Sequence, residues 1–250
     1  MDKIKLVALD MDGTLLTNDE EISDYTQQVI RKTLAKDVHV VLSTGRGIAT
    51  CLPYAKQLSL PSFLITANGG EIWTVEEQLL EQHLLDPKMV QLMFELGKQM
   101  EVNSWMISTD KVWRGGEGPE NFYDYEWLKY GCDSLDTTKL DNIVKELSHY
   151  DELELTNSLP TNIEVNPKGV NKASALRKLC DKLDITMNNV LAIGDSLNDI
   201  KMIQQAGLGI AMGNAQEAIK KVADHVTDTN NQDGVAKAIE TFVLNQEKSV

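Results

Sequence analysis

The sequence predicts an α/β fold in which a parallel sheet is interrupted by an inserted α+β segment. Three observations carry that expectation. Short apolar runs recur near both ends of the chain, separated by stretches of helical periodicity. These runs end abruptly in polar residues or glycine. Between about Gln82 and Lys168 the pattern stops and aromatics concentrate, with seven of the chain's 14 lying between Trp105 and Tyr130.

The first run, Lys5–Leu9, suits a strand buried on both faces, because it is apolar without alternation. A helix follows over Ile22–Lys36, with Ser23 as N-cap and Val29, Ile30 and Leu34 on one face. His39–Leu42 is the second strand and Phe63–Thr66 the third. The alternation resumes with a helix over Lys172–Leu183 and a strand at Val190–Ile193. A helix to Gln205 is stopped by Gly207, and a strand at Leu208–Met212 and two further helices close the chain. The interruption holds antiparallel strands, such as Glu152–Thr156 and Asn162–Asn166, and a glycine-rich loop at Gly115–Gly118. The expected division is therefore a discontinuous core of residues 1–81 and 169–250 with an insertion of residues 82–168.

Bulk properties exclude several function classes. The chain has 250 residues, 42% hydrophobic and 25% charged, which suits a folded protein rather than a disordered one. Its formal net charge of -14 argues against a nucleic-acid partner, since such proteins need a basic surface. Cys51, Cys132 and Cys180 are odd in number and widely spaced, so no disulfide framework is expected. No apolar stretch approaches the ~18 residues of a membrane span, and the N-terminal run is too short for a secretory leader. A cytoplasmic location without a membrane partner is the expectation. Nothing in the sequence fixes an oligomeric state. P-loop, dinucleotide-fingerprint, GxSxG and HExxH patterns are absent, and the four histidines have no ligand spacing.

Chemistry concentrates where strands end, the edge at which open parallel sheets bind ligands. Asp10 and Asp12 follow the first strand, Thr44 the second, Asn68 the third and Asp195 the one after the insertion. Two carboxylates two residues apart on extended chain point to one side and repel each other, favouring a shared proton or a cation. The same spacing also fits a solvated acidic turn. Gly13 permits a backbone conformation that a β-carbon opposes. Asp195 and Asp199 flank a second strand-to-helix junction. They suit magnesium, although Asp199 equally fits a place near a helix N-terminus. Lys172 lies in a first helical turn, where the dipole mildly disfavours a cation, so a phosphate or carboxylate partner is implied beside the alternative of an exposed lysine. Thr44 and Gly45 can bind an anion through hydroxyl and N–H groups, and Arg46 can do the same or form an ion pair.

Taken in order, these residues resemble the motifs of the haloacid dehalogenase superfamily, in its Cof-type subclass IIB branch. Asp10-Met11-Asp12-Gly13-Thr14-Leu15 is similar to the first motif, and Ser43-Thr44-Gly45-Arg46 to the second. Lys172 within Gly169-Val170-Asn171-Lys172 is similar to the third, and Gly194-Asp195-Ser196-Leu197-Asn198-Asp199 to the fourth. The resemblance implies a Rossmann-like core with an inserted α+β cap of type C2. It also implies a magnesium-dependent phosphatase acting on small phosphomonoesters, including sugar phosphates and nucleotide- or flavin-type metabolites. In that scheme Asp10 becomes an aspartyl phosphate and Asp12 is the acid–base. Thr44, Gly45, Arg46, Lys172 and Asn198 hold the phosphoryl group. Asp10, Asp12 (through its carbonyl), Asp195 and Asp199 serve the metal. Phosphoryl transfer to a sugar, and a non-catalytic scaffold, are the competing readings. The aromatics of the insertion either stack on a substrate ring or form that segment's core.

Overall fold

The computed structural model describes residues 3–245. In chain order the elements are β1 (Leu6–Leu9), α1 (Asp24–Leu34), β2 (His39–Ser43), α2 (Ile48–Gln57), β3 (Phe63–Thr66), β4 (Glu71–Thr74) and β5 (Leu79–Gln82). There follow α3 (Pro87–Gln99), β6 (Asn103–Ser108), β7 (Val112–Trp113), β8 (Trp127–Asp133), α4 (Thr137–Leu147), β9 (Leu153–Thr156) and β10 (Asn162–Pro167). The chain ends with α5 (Lys172–Lys182), β11 (Val190–Gly194), α6 (Ile200–Gln205), β12 (Leu208–Ala211), α7 (Glu217–Lys220), β13 (His225–Val226) and α8 (Gly234–Ile239).

Eight strands form one sheet in the order β13-β12-β11-β1-β2-β3-β4-β5. Those from β13 to β3 are parallel, and β4 and β5 add an antiparallel edge. The central strand β1 is buried on both faces, as its unbroken apolar run demands. Val7 and Leu9 point into one hydrophobic cluster, while Leu6 and Ala8 point into a second that includes Leu176 and Leu179 of α5. Each fully buried leucine here contributes roughly 1.5–3 kcal/mol of apolar transfer energy. The remaining five strands make an antiparallel sheet, β7-β6-β8-β10-β9. Its own cluster, with Phe94, Trp113, Phe122, Trp127 and Tyr130, draws only on residues 85–165.

The helix expected over Ile22–Lys36 is shorter. Ser23 accepts the Thr26 N–H at 3.0 Å, fixing its start, and a left-handed turn at Asp37 follows its end. The β4–β5 hairpin had no counterpart in the sequence reading, because its two four-residue strands, EIWT and LLEQ, mix apolar and polar residues without a clear run or alternation. The junction after β11 opens with a 3₁₀ turn, Leu197–Asp199, before α6.

Candidate active site

Register brings the polar strand ends together. Leu9 pairs with Ile193 on one side and with Leu42 on the other, and Leu42 pairs with Leu64. Asp10, Asp195 and Thr44 must therefore emerge side by side at one sheet edge. Lys172 reaches this edge from the first turn of α5, where Asn171 closes a capping box with Ser174. Its Nζ is fully buried and donates to Asp10 Oδ1 at 2.6 Å and to Asp199 Oδ1 at 2.7 Å. The other Asp199 oxygen accepts the backbone N–H groups of Asp195 at 3.0 Å and Ser196 at 3.1 Å. The Thr14 hydroxyl donates to Asp195 Oδ1 at 3.2 Å. Gly13 turns the chain with φ +77°, and a β-carbon there would stand 2.7 Å from Asp195 Oδ2. Conformation and space both require glycine at this position.

Three carboxylates thus face one ammonium. Burial first, then the charge of Asp199, raises the Asp10 carboxyl well above its usual range, with Lys172 only partly opposing. The same causes push Asp195 up to about 7. Burial would lower Lys172, but Asp10 and Asp199 outweigh it and hold the ammonium charged. Oxygen atoms of Asp10, Asp195 and Asp199 lie within 4.8 Å of one another. Such a cluster of hard oxygen donors with excess negative charge fits a divalent cation. Both Asp199 oxygens are already engaged by Lys172 and by backbone N–H groups, which leaves Asp10 and Asp195 as the carboxylates best able to face a cation.

Asp12 stands apart from this cluster. Its side chain is 55% exposed and is gripped by Arg46, with Nη2 2.6 Å from Oδ1 and Nε 2.9 Å from Oδ2. Arg46 therefore forms the ion pair that its position allowed, and it lines the same cavity as Asp10. Thr44 is buried, its hydroxyl accepting the Arg46 N–H at 3.1 Å. Asn198 donates to Asn68 Oδ1 at 3.3 Å, and its own buried Oδ1 has no partner among the described residues.

A second buried network joins the two sheets. Lys129 of β8 lies 2.9 Å from Glu164 Oε2 of β10 and donates to the Gly45 carbonyl at 3.3 Å. Glu164 also accepts from Asn68 Nδ2 at 2.6 Å and from the Ser158 hydroxyl at 3.0 Å. Asn68 is aimed there by a turn in which Ala67 and Asn68 both have positive φ. Asn166 donates to the Ala67 carbonyl at 2.8 Å, and the Asn198 N–H donates to the Asn157 carbonyl at 3.0 Å. The sequence reading singled out Asn68 but missed Lys129, Glu164 and Asn157. A lone charge inside the apolar strands WLKYGCD and NIEVNP was the available signal. Between the sheets lies a cavity of about 560 Å³, lined by Asp10, Asp12, Arg46 and Asp195 from one side and by Trp105 and Arg114 from the other. That size suits a small organic ligand.

The aromatics of the insertion divide. Trp113, Phe122, Trp127 and Tyr130 are buried in the second sheet's own core, Tyr123 is exposed and Trp105 borders the cavity. No helix among the described residues is long and apolar enough to cross a membrane.

Comparison with known proteins identifies the family and the fold. The family model for haloacid dehalogenase-like hydrolases matches residues 7–130 and 117–239. A 5-amino-6-(5-phospho-D-ribitylamino)uracil phosphatase of Bacillus subtilis is 54% identical over 241 residues, covering 96% of both chains. The solved structure of a haloacid dehalogenase-like hydrolase, also from B. subtilis, superposes with a TM-score of 0.89 at 26% identity, covering 96% of this chain and 100% of that one. A subclass IIB sugar phosphatase of the superfamily shares the fold, with a TM-score of 0.83 at 23% identity and coverage of 95% and 98%. The chain belongs to the haloacid dehalogenase-like hydrolases, among the phosphatases of that superfamily.

Proposed function

We propose that the protein hydrolyses a small phosphomonoester through a phosphoenzyme on Asp10, and that its substrate carries a ribityl phosphate joined to a pyrimidine-type ring. The observation that carries the chemistry is the buried Lys172 ammonium bridging Asp10 and Asp199, with Asp195 alongside. Support for the substrate class comes from the 54% identical relative.

In this reading an Asp10 carboxylate oxygen attacks phosphorus, and the P–O bond to the leaving alkoxide breaks as Asp12 delivers its proton to that oxygen. Asp12, now a carboxylate, takes a proton from water. The water oxygen attacks the aspartyl phosphate, freeing inorganic phosphate and regenerating Asp10. For Asp12 to donate, the Arg46 fork must release it, so Arg46 controls when the acid is available. Lys172, with Thr44, Gly45 and Asn198, steadies the phosphoryl oxygens, and Asp199 holds Lys172 in place. Asp10, Asp195 and the Asp12 carbonyl would hold magnesium, which would supply charge neutralisation for the phosphoryl group. Residues 82–168 act as a cap that closes the cavity over Asp10.

The test is phosphate release from 5-amino-6-(5-phospho-D-ribitylamino)uracil and from a panel of sugar phosphates, with magnesium and with a chelator. Magnesium-dependent release favouring the ribityl ester is expected. Absence of release from every ester, or phosphate transfer to a sugar in place of water, would overturn the reading.

A further inference from the structure

An enzyme that distinguishes phosphate esters needs groups that contact the part of the substrate away from the phosphate. The core-facing side of the five-stranded sheet supplies a candidate. In β6 the even positions, Ser104, Met106 and Ser108, are buried, whereas Trp105 and Ile107 are half-buried. Trp105 pairs in register with Gly131, and Ile107 with Lys129, so both share the face that carries Lys129 toward the core. A β-carbon at Gly131 would lie 2.3 Å from Trp105 Cε2 and Cζ2 and 2.7 Å from Nε1. The indole therefore lies across bare backbone, in space that only glycine leaves open.

Trp105 also differs from the other three tryptophans. Trp113 and Trp127 are buried together, and Trp73 packs on the large sheet's cluster, but Trp105 belongs to none of the three hydrophobic clusters. It borders the cavity that holds Asp10. A half-buried aromatic face that borders a ligand cavity offers a flat surface on which a second ring can stack. Arg114, just beyond β7, lines the same cavity and an adjoining one of about 300 Å³ with Trp105. Its guanidinium has no hydrogen-bond or ion-pair partner among the described residues. An arginine beside an aromatic shelf matches a planar ligand whose edge carries carbonyl acceptors.

We propose that Trp105, laid over Gly131, is the stacking platform for the heteroaromatic ring of the substrate, and that Arg114 donates to the ring's carbonyl edge. This rests on the phosphatase reading above and assigns specificity to two residues remote from the reacting phosphorus. In this arrangement the ribityl chain would lie between Trp105 and Asp10, which line one cavity, so ring recognition would be separable from chemistry at Asp10.

The experiment compares 5-amino-6-(5-phospho-D-ribitylamino)uracil with ribitol 5-phosphate, which shares the phosphate and pentitol but lacks the ring. The quantity read is the ratio of their kcat/KM values. Trp105→Ala should lower that ratio about tenfold or more, chiefly through KM for the ring-bearing ester. Trp105→Phe should retain most of it, and Arg114→Ala should lower it about threefold. An unchanged ratio in Trp105→Ala, whether both esters suffer equally or neither does, would overturn the proposal. Release of phosphate from neither ester by the wild-type enzyme would instead defeat the phosphatase reading. In that event the subsite is read directly, because the ring compound should quench tryptophan fluorescence in the wild type and much less in Trp105→Phe. Equal quenching in both would overturn it.

Discussion

Two buried lysines make opposite use of their carboxylate partners. Lys172 sits within the large-sheet unit and faces Asp10 and Asp199, with Asp195 close by, so one positive charge answers three negative ones. Lys129 sits in the small sheet and faces Glu164 alone, with the Gly45 carbonyl and Asn68 completing the set across the seam. The first network is incomplete and has a raised Asp195 carboxyl at about 7 to show for it. The second is balanced, and its Glu164 carboxyl is lowered, because Lys129, Asn68 and Ser158 together outweigh the effect of burial. Unneutralised charge is what a phosphoryl-transfer site needs in order to recruit a cation, whereas Lys129 and Glu164 answer each other's charge where the two sheets meet at the cavity wall.

The largest effect is expected at Asp10. Asp10→Asn removes the proposed nucleophile while keeping shape, and should reduce phosphate release by at least about 10³-fold. Retention of normal turnover would remove Asp10 from the mechanism. Lys172→Ala comes next, with an expected loss of about 10²–10³-fold in kcat, the range for removing one group that stabilises transition-state charge. A loss below about tenfold would reduce Lys172 to a structural counterion.

The seam should respond in stability before catalysis. Breaking a buried ion pair by removing one partner costs about 3–5 kcal/mol, so Glu164→Gln and Lys129→Met should each show a loss of that order by urea unfolding. The double variant should lose less than the sum of the two, which a double-mutant cycle detects. Glu164 also sets a pH signature. Its folded value lies below the ordinary 4.5, so its contribution is present above about pH 4.5 and is lost as pH falls through the lowered value. The stability gap between wild type and Glu164→Gln should therefore be full at pH 7 and shrink below pH 4.5. A gap independent of pH would mean that the charge of Glu164 is not what stabilises the seam.

The two networks also differ in how legible they were. Asp10, Thr44, Lys172 and Asp195 sit at strand ends or a helix start, and the parallel register that unites them follows from apolar runs visible in the sequence. The partner that engages Asp12 was harder to read, because the sequence left Arg46 open between an anion site and an ion pair. Lys129 and Glu164 lie mid-strand in antiparallel pairs, where alternation makes an outward charge ordinary, and only pairing through β8 and β10 sets them on one face. Trp105 was visible only as one of seven aromatics. What distinguishes it is Gly131 opposite, a cross-strand relation that no local pattern encodes.

Cation binding gives the smallest effect and the sharpest distinction between the networks. Asp195 is raised from 3.8 to about 7 by burial and by Asp199. In metal-free protein the folded state therefore holds a proton that the unfolded state releases, and stability from this group is lost as pH rises through about 7. A divalent cation replaces that proton, so magnesium should raise the melting temperature more at pH 8 than at pH 5, by about 4 °C or less for a chain of this size. Equal shifts at both pH values would show that the cation does not bind at the raised carboxylates. In Glu164→Gln the magnesium-induced shift should match that of the wild type, because the seam has no unneutralised charge to offer. In Asp195→Asn it should vanish, since the cluster then loses both a donor and the charge that made the cation necessary.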